Sequence, residues 1–421
     1  MNTPIPSDPK LLMRSVIQRI ATGPELSKDI SREEARLATR AMLENRIDPV
    51  QAAIFFIALR MKRETLDENK GVLDAVLETT QRVVATIDEV IDIGDPYDGY
   101  NRCLPAAPFL GPLLAELGVH VVSHGLDRVG PKYGVCARHI LQAAGVAVDL
   151  SPAQAAARLS DPALGWSYID QAQSNPGLHN LVGLRTQIIK RQVLTTVEVL
   201  SKPVAGRKLT RFVTGFVHKP YPPIYAELAR VAGFDSACII RGVEGGVVPS
   251  LRQAGRYFEY HDRGPESEVA LDPAALGILQ EVRAVPLPGS VAAAEGEDEI
   301  AAAIDIPAIA QAAAAAGMSA LRGTPGATYA SLVLGGAIVL HHASRAASRA
   351  DPRGARFRPC RKAGSLKTGY VAVSAEDELK PAQMKRIAVA GKRLLLCNSD
   401  GTLYCVDEMC SHEKIPQQRR G

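Results

Sequence analysis

Three groups of residues have the types and spacing to do chemistry. The first is a run of cations: Arg185, Lys190, Arg191, Lys202, Arg207, Lys208 and Arg211, with Glu198 as the one carboxylate among them. Such a stretch is either a solvated face or a surface that tracks phosphates, since lysine and arginine release counterions from a polyanion on binding it. The second is a pair of glycine-punctuated loops: Gly94-Asp95-Pro96-Tyr97-Asp98-Gly99-Tyr100, and a later one with Gly125, Gly130 and Gly134. Glycine and proline at that density mark loops, and each loop follows a short β-rich piece. The third is a Cys/His set, Cys397, Cys405, Cys410 and His412. These types suit Zn²⁺ but lack a regular zinc spacing. Buried small side chains are the plain alternative for Cys397 and Cys405.

The elements that must position these residues can be read from periodicity. Leu11, Leu12, Val16, Ile17 and Ile20 recur at helical spacing. Ser31 and Glu34 form a capping-box pair, Asp48-Pro49 fits an N-cap with proline at the first helical position, and a fourth helix is expected over 66–80. From Val83 the pattern becomes strand, Gly-rich loop and helix in alternation, the mark of a parallel α/β sheet. Strands are expected at 119–123, 209–214, 236–241 and 280–286, and helices at 106–117, 135–144 and 223–232. Ten alanines in residues 301–316 predict a helix, and a further apolar helix is expected from Tyr329. The chain thus divides into a helical bundle over 1–82, completed by helices near 150–190, an α/β domain over 83–350, a linker over 351–383 and a β-rich extension over 384–421.

Composition narrows the function classes. The 421 residues carry 49 Lys+Arg against 45 Asp+Glu, so no global basic field exists. The local excess lies in residues 341–421, which hold 16 Lys/Arg and 8 Asp/Glu. Seven scattered cysteines suggest no disulfide framework. No apolar run reaches bilayer-spanning length, so no membrane partner and a cytoplasmic location are expected.

The order of helical bundle and α/β domain resembles the anthranilate phosphoribosyltransferase family, in its divergent TrpD-like, glycosyltransferase-like branch. Ile91-Asp92-Ile93-Gly94-Asp95 stands where that family has a Gly-Thr-Gly-Gly-Asp diphosphate loop. Ser123-His124-Gly125-Leu126-Asp127-Arg128 resembles its Lys-His-Gly-Asn-Arg segment. The resemblance implies phosphate binding by Gly94, Asp95, Asn101, Arg102, His124, Gly125 and Arg128. It places Arg185 on an acceptor carboxylate and Arg191 on the arginine of a Leu-Gly-x-Arg-Thr turn. Ile239–Gly246 matches a strand and its Gly-rich end, but Val247-Val248-Pro249 replaces the family's Asp-Glu pair for Mg²⁺, leaving Glu244 as the nearby carboxylate.

Residues 394–412 resemble the opening half of a Rieske-type ferredoxin module, with Cys410 and His412 as one ligand pair. A Rieske centre needs two cysteines and two histidines. No second pair follows in the sequence, so a [2Fe–2S] cluster is not expected. A relic, a structural decoration and a site shared with another chain or a metal all remain open for this segment.

Two functions follow. The first is a glycosyltransferase-type protein that transfers or binds a phosphorylated pentose or nucleotide, with the acceptor open, anthranilate set aside and Mg²⁺ as cofactor. The alternative is a non-catalytic nucleic-acid-binding protein using Arg185, Lys190, Arg191, Arg207, Lys208 and Arg211. The resemblance also implies a homodimer formed through the helical part.

Overall fold

The computed structural model describes residues 5–23, 25–289, 304–349, 384–389, 392–399 and 402–407. The chain forms two compact units, 1–353 and 354–421. In the smaller one, strands Met384–Val389, Lys392–Ser399 and Thr402–Asp407 pair as an antiparallel meander, with Ser399 opposite Thr402. Cys410 and His412 lie outside the described residues.

Four capped helices open the larger unit. Helix α1 (Pro9–Ile20) starts on the Asp8 carboxylate, which accepts from the Lys10 and Leu11 amides. Helix α2 (Arg32–Leu43) has the Ser31/Glu34 capping box, and α3 (Pro49–Lys62) starts at Asp48 with proline in its first turn. Helix α4 (Leu66–Thr79) has a second capping box, Thr65/Glu68. Glu68 is fully buried; its carboxylate also accepts from the Ile30 amide at 2.9 Å and the Lys62 ammonium at 2.7 Å, which ties three helices together.

The sheet has seven strands: β1 (Glu89–Gly94), β2 (Val121–Gly125), β3 (Trp166–Asp170), β4 (Leu209–Phe216), β5 (Ser236–Arg241), β6 (Gly255–Tyr260) and β7 (Ser267–Leu271). Their spatial order is β3-β2-β1-β4-β5-β6-β7. The first five are parallel, whereas β6 and β7 add as antiparallel edge strands. The sheet is therefore mixed, with four parallel pairings and two antiparallel ones at one edge. Strand order reverses between β1 and β4, and in such sheets a crevice opens beyond the carboxyl ends at that point.

Alternation along the strands assigns the two faces. Phe212 and Ile239 pack towards α1–α4 and the helix Tyr221–Val231. Val213, Cys238 and Ile240 pack on the other face, with residues of helices Leu110–Glu116, Ile306–Leu321 and Ala327–Arg349. Residues 280–286 form no strand. The Arg283 and Val285 carbonyls instead accept from the Leu251 and Leu104 amides, so the segment ties two loops together. Strands β6 and β7 escape a reading based on β-branched runs, because β6 is aromatic and charged and β7 is half exposed.

Helices α2 and α4 meet at Gly71, where an added Cβ would lie 2.2 Å from the Arg32 carbonyl oxygen and 2.7 Å from Ala35 Cβ. Alanine is the better helix former, yet overpacking outweighs that gain. Gly71→Ala should destabilise the protein by about 1–3 kcal/mol, measured by urea unfolding.

Candidate active site in the cleft at the sheet's carboxyl end

A cleft of about 750 Å³ lies at the carboxyl ends of β1 and β4. The sheet supplies Gly94 and Thr214–Phe216, and Arg60 of α3 reaches it from the bundle. Its floor is two loops locked together. Gly99, at φ +75°, approaches Gly134 so closely that a Cβ would meet the Gly134 carbonyl at 2.6 Å. Tyr100 and Val135 then exchange amide hydrogen bonds of 2.9 and 2.8 Å. The Tyr100 hydroxyl donates to both Asp95 oxygens, at 2.7 and 2.9 Å, and the Val247 amide donates to Oδ1 at 3.2 Å. Asp95 is thus a buried tie between loops.

The cleft contains an anion cradle with an anion already in it. The Asn101 and Arg102 amides donate to the Glu244 carboxylate at 3.2 and 3.0 Å, and the Cys103 thiol donates at 3.3 Å. Glu244 itself sits at φ +53°, which is uncommon for a residue with a side chain. Lys132 Nζ stands 3.4 Å from Asp98 Oδ1 and 3.9 Å from Glu244 Oε2, so the two carboxylates share one cation. Arg191 pairs with Asp98 at 2.7 Å. Arg102, Arg283 and His218 also line the cleft. Towards the bundle the wall is aromatic: Phe216, Tyr221 and Tyr225, with the Tyr221 and Tyr225 ring centroids 5.8 Å apart. Arg60 donates to the Tyr221 hydroxyl at 3.3 Å.

Of the residues singled out from sequence, Gly94, Asn101, Arg102, Arg191 and Glu244 line this cleft. Asp95 lies beneath it. His124 is buried, with Nε2 donating to Asp92 Oδ1 at 2.7 Å and Nδ1 paired with the Tyr97 hydroxyl. Gly125 packs against Tyr168, and Arg128 stacks over Tyr133 at 5.4 Å beside a separate recess. Arg185 is fully buried and makes a two-pronged pair with Glu198 at 2.6 and 2.8 Å, so its guanidinium faces the interior. Arg60, Lys132, His218, Tyr221, Tyr225 and Arg283 were not singled out, and Asp98 was named only as part of the Gly94–Tyr100 loop. Of the six, Lys132, in the run Gly130-Pro131-Lys132, carried a local signal.

The run of cations from Arg185 to Arg211 forms no single face. Arg185, Lys202 and Arg211 are buried. Arg207 and Lys208 pair with Asp88 at the start of β4, whereas Lys190 and Arg191 lie near its far end. An eight-residue strand separates the two groups by roughly 23 Å.

Residues 14–80 match the glycosyl transferase family helical bundle domain, and residues 369–421 match the Rieske [2Fe-2S] domain. An Aquifex aeolicus protein described as uncharacterized is 30% identical over 251 residues, covering 60% of this chain and 74% of that one. The anthranilate phosphoribosyltransferase of Rhodopseudomonas palustris is 28% identical, over 55% of this chain and 65% of that one. Anthranilate phosphoribosyltransferase structures from Thermus thermophilus (TM-score 0.51, 19% identity, 80% of this chain and 98% of that one) and from Saccharomyces cerevisiae with PRPP and Mg (0.57, 14%, 80% and 89%) share the fold. The chain belongs to the TrpD-like, anthranilate phosphoribosyltransferase family. It spans just under two thirds, 64–66%, of the length of the curated anthranilate phosphoribosyltransferases it matches.

These relatives correct the functional expectation. Setting anthranilate aside does not stand, because relatives matched by sequence and by fold are anthranilate phosphoribosyltransferases. The nucleic-acid alternative falls with it, and the scattered cations give the physical reason. Among the described residues, no helix is long and apolar enough to cross a membrane.

Burial pushes the Asp95 carboxyl up to about 6 from its ordinary 3.8, against the downward pull of its bonds to Tyr100 and Val247. A pKa raised on folding means that the protonated form stabilises the protein. That contribution is complete below about 4 and is lost as pH rises through about 6. Asp95→Asn removes the loss, so the variant should gain about 3 kcal/mol relative to the wild type between about pH 4 and pH 7. Chemical unfolding across that range reads it.

Proposed function

We propose that the chain transfers a phosphoribosyl group from phosphoribosyl diphosphate to an aromatic amine of the anthranilate class. The observation that carries this reading is the amide pair of Asn101 and Arg102 holding a carboxylate. Backbone N–H groups arranged to bind one anion will accept a diphosphate oxygen in its place. Gly94, Asn101 and Arg102 would border the diphosphate, with Lys132 and Arg191 supplying charge. The aromatic wall of Phe216, Tyr221 and Tyr225 suits a planar acceptor, and Arg60 beside it suits the acceptor's carboxylate. Asp95, His124, Gly125 and Arg128 would act at one remove, by holding the loops, and Arg185 by bracing the interior.

The acceptor nitrogen would attack the anomeric carbon, the bond from that carbon to the diphosphate oxygen would break, and the diphosphate would leave with the electron pair. The amine proton passes to solvent or to the leaving group. Mg²⁺ fits this site through Asp98 and Glu244, which already share one cation, and it would neutralise charge on the leaving diphosphate. The chain's own cations do the rest by binding and orienting. A homodimer through the helical part belongs to the same reading.

Titration calorimetry with phosphoribosyl diphosphate tests the site. Lys132→Met and Arg191→Gln should each weaken binding by about 10–100-fold, the value of a hydrogen bond to a charged group. Glu244→Gln should tighten binding without Mg²⁺, by removing the competing charge, and should reduce the gain on adding Mg²⁺. Chromatographic detection of the phosphoribosylated amine tests the reaction. No binding of the diphosphate with Mg²⁺ present would end this reading.

A further inference from the structure

At the end of the sheet opposite the cleft lies a buried set of donors that the reaction does not use. Glu259 is on β6, His261 follows it, and His342 is on the helix Ala327–Arg349. Their exposures are 0%, 5% and 0%. One ligand atom from each lies within 4.8 Å of the others. We propose that Glu259, His261 and His342 bind one divalent transition-metal ion of the Zn²⁺ class.

Three observations support the site. First, the three donors are close enough to share one ion. Glu259 Oε2 is hydrogen-bonded to His342 Nδ1 at 2.9 Å and lies 3.4 Å from His261 Nε2. Two ligand atoms at zinc distance, 90–109° apart around the metal, are roughly 2.9–3.4 Å from each other. The two imidazoles stack at 4.6 Å between centroids, so binding an ion exchanges the Nδ1 proton for the metal and turns one ring to aim its in-plane lone pair. Second, His261 is buried and under-satisfied: Nε2 approaches Glu259 Oε2 at 3.4 Å, and Nδ1 has no hydrogen-bond partner. An orphaned buried nitrogen is costly, and its presence points to an ion or a water near it. Third, His342 has the support a ligand imidazole needs. Its Nε2 lies 3.0 Å from Ser236 Oγ, a partner able to accept the Nε2 proton and leave Nδ1 as the metal donor. Ser236 is itself held by Arg211 at 3.3 Å.

Two imidazoles and one carboxylate favour Zn²⁺ and its transition neighbours over Mg²⁺ or Ca²⁺, which take oxygen shells. With all three ligands buried, the ion is structural: it fastens the last described helix of the larger unit to the antiparallel edge of the sheet.

The test uses the full chain carrying Cys397→Ser, Cys405→Ser, Cys410→Ser and His412→Ala, which removes the tail's Cys/His set. After equilibration with Zn²⁺ and removal of excess, elemental analysis should find about one zinc per chain. His261→Ala and His261→Gln in the same background should each lower that content about tenfold or more. Zn²⁺ should raise the thermal midpoint, and a chelator should reverse the rise, only while His261 is present. Absence of zinc from the tail-substituted chain would overturn the proposal, whatever the His261 variants do. Equal zinc content with and without His261 would overturn it too.

Discussion

The tie between Asp95, Tyr100 and Val247 is the constraint on which the cleft depends. One buried carboxylate takes hydrogen bonds from the loop after β1 and from the loop after β5. The backbone leaves no slack around it: a Cβ on Gly246 would lie 1.7 Å from the Tyr100 hydroxyl, and one on Gly215 would lie 2.0 Å from the Gly246 carbonyl oxygen. Glycine at these points serves backbone approach, and that approach brings Glu244 onto the Asn101 and Arg102 amides. The anion cradle is a by-product of loop packing as much as of any phosphate motif.

Charge in the molecule is sorted by depth. Arg185 and Arg211 are buried and matched to Glu198 and Glu89, where loss of a partner would leave an uncompensated interior charge. Lys132 and Arg191 sit at the cleft, partnered by Asp98 and so available to an entering anion through exchange rather than through new ordering. The first pair braces the fold, and the second places positive charge at the cleft. A count of basic residues along the chain cannot separate these roles, because the two groups are interleaved in sequence.

The sheet places its two polar clusters at opposite ends. Parallel strands with a reversal between β1 and β4 open the cleft at their carboxyl ends. Antiparallel addition of β6 brings Tyr260 opposite Ala237, and so sets Glu259 and His261 beside Ser236 at the amino end of β5. The helix Ala327–Arg349 contributes His342 there and packs its apolar face along the sheet. Chemistry at one end need not disturb the other.

Local signals in the sequence decided the helices and the order of elements. Ser31/Glu34 and Asp48-Pro49 act within one turn, and the period of apolar residues needs no distant partner. The family resemblance likewise marked Gly94, Asn101, Arg102 and Glu244 at the cleft. Only tertiary structure decided the rest. Residues 280–286 are apolar enough for a strand, yet two loop amides claim their carbonyls. Arg185 looks like any basic residue until Glu198 meets it in the interior. Arg60, Lys132 and Tyr221 converge from three separate segments, and His261 meets His342 across 81 residues. The physical reason is range: capping and periodicity are fixed by neighbours in the chain, whereas burial, charge pairing and ligand convergence are fixed by which surfaces the packed core brings together.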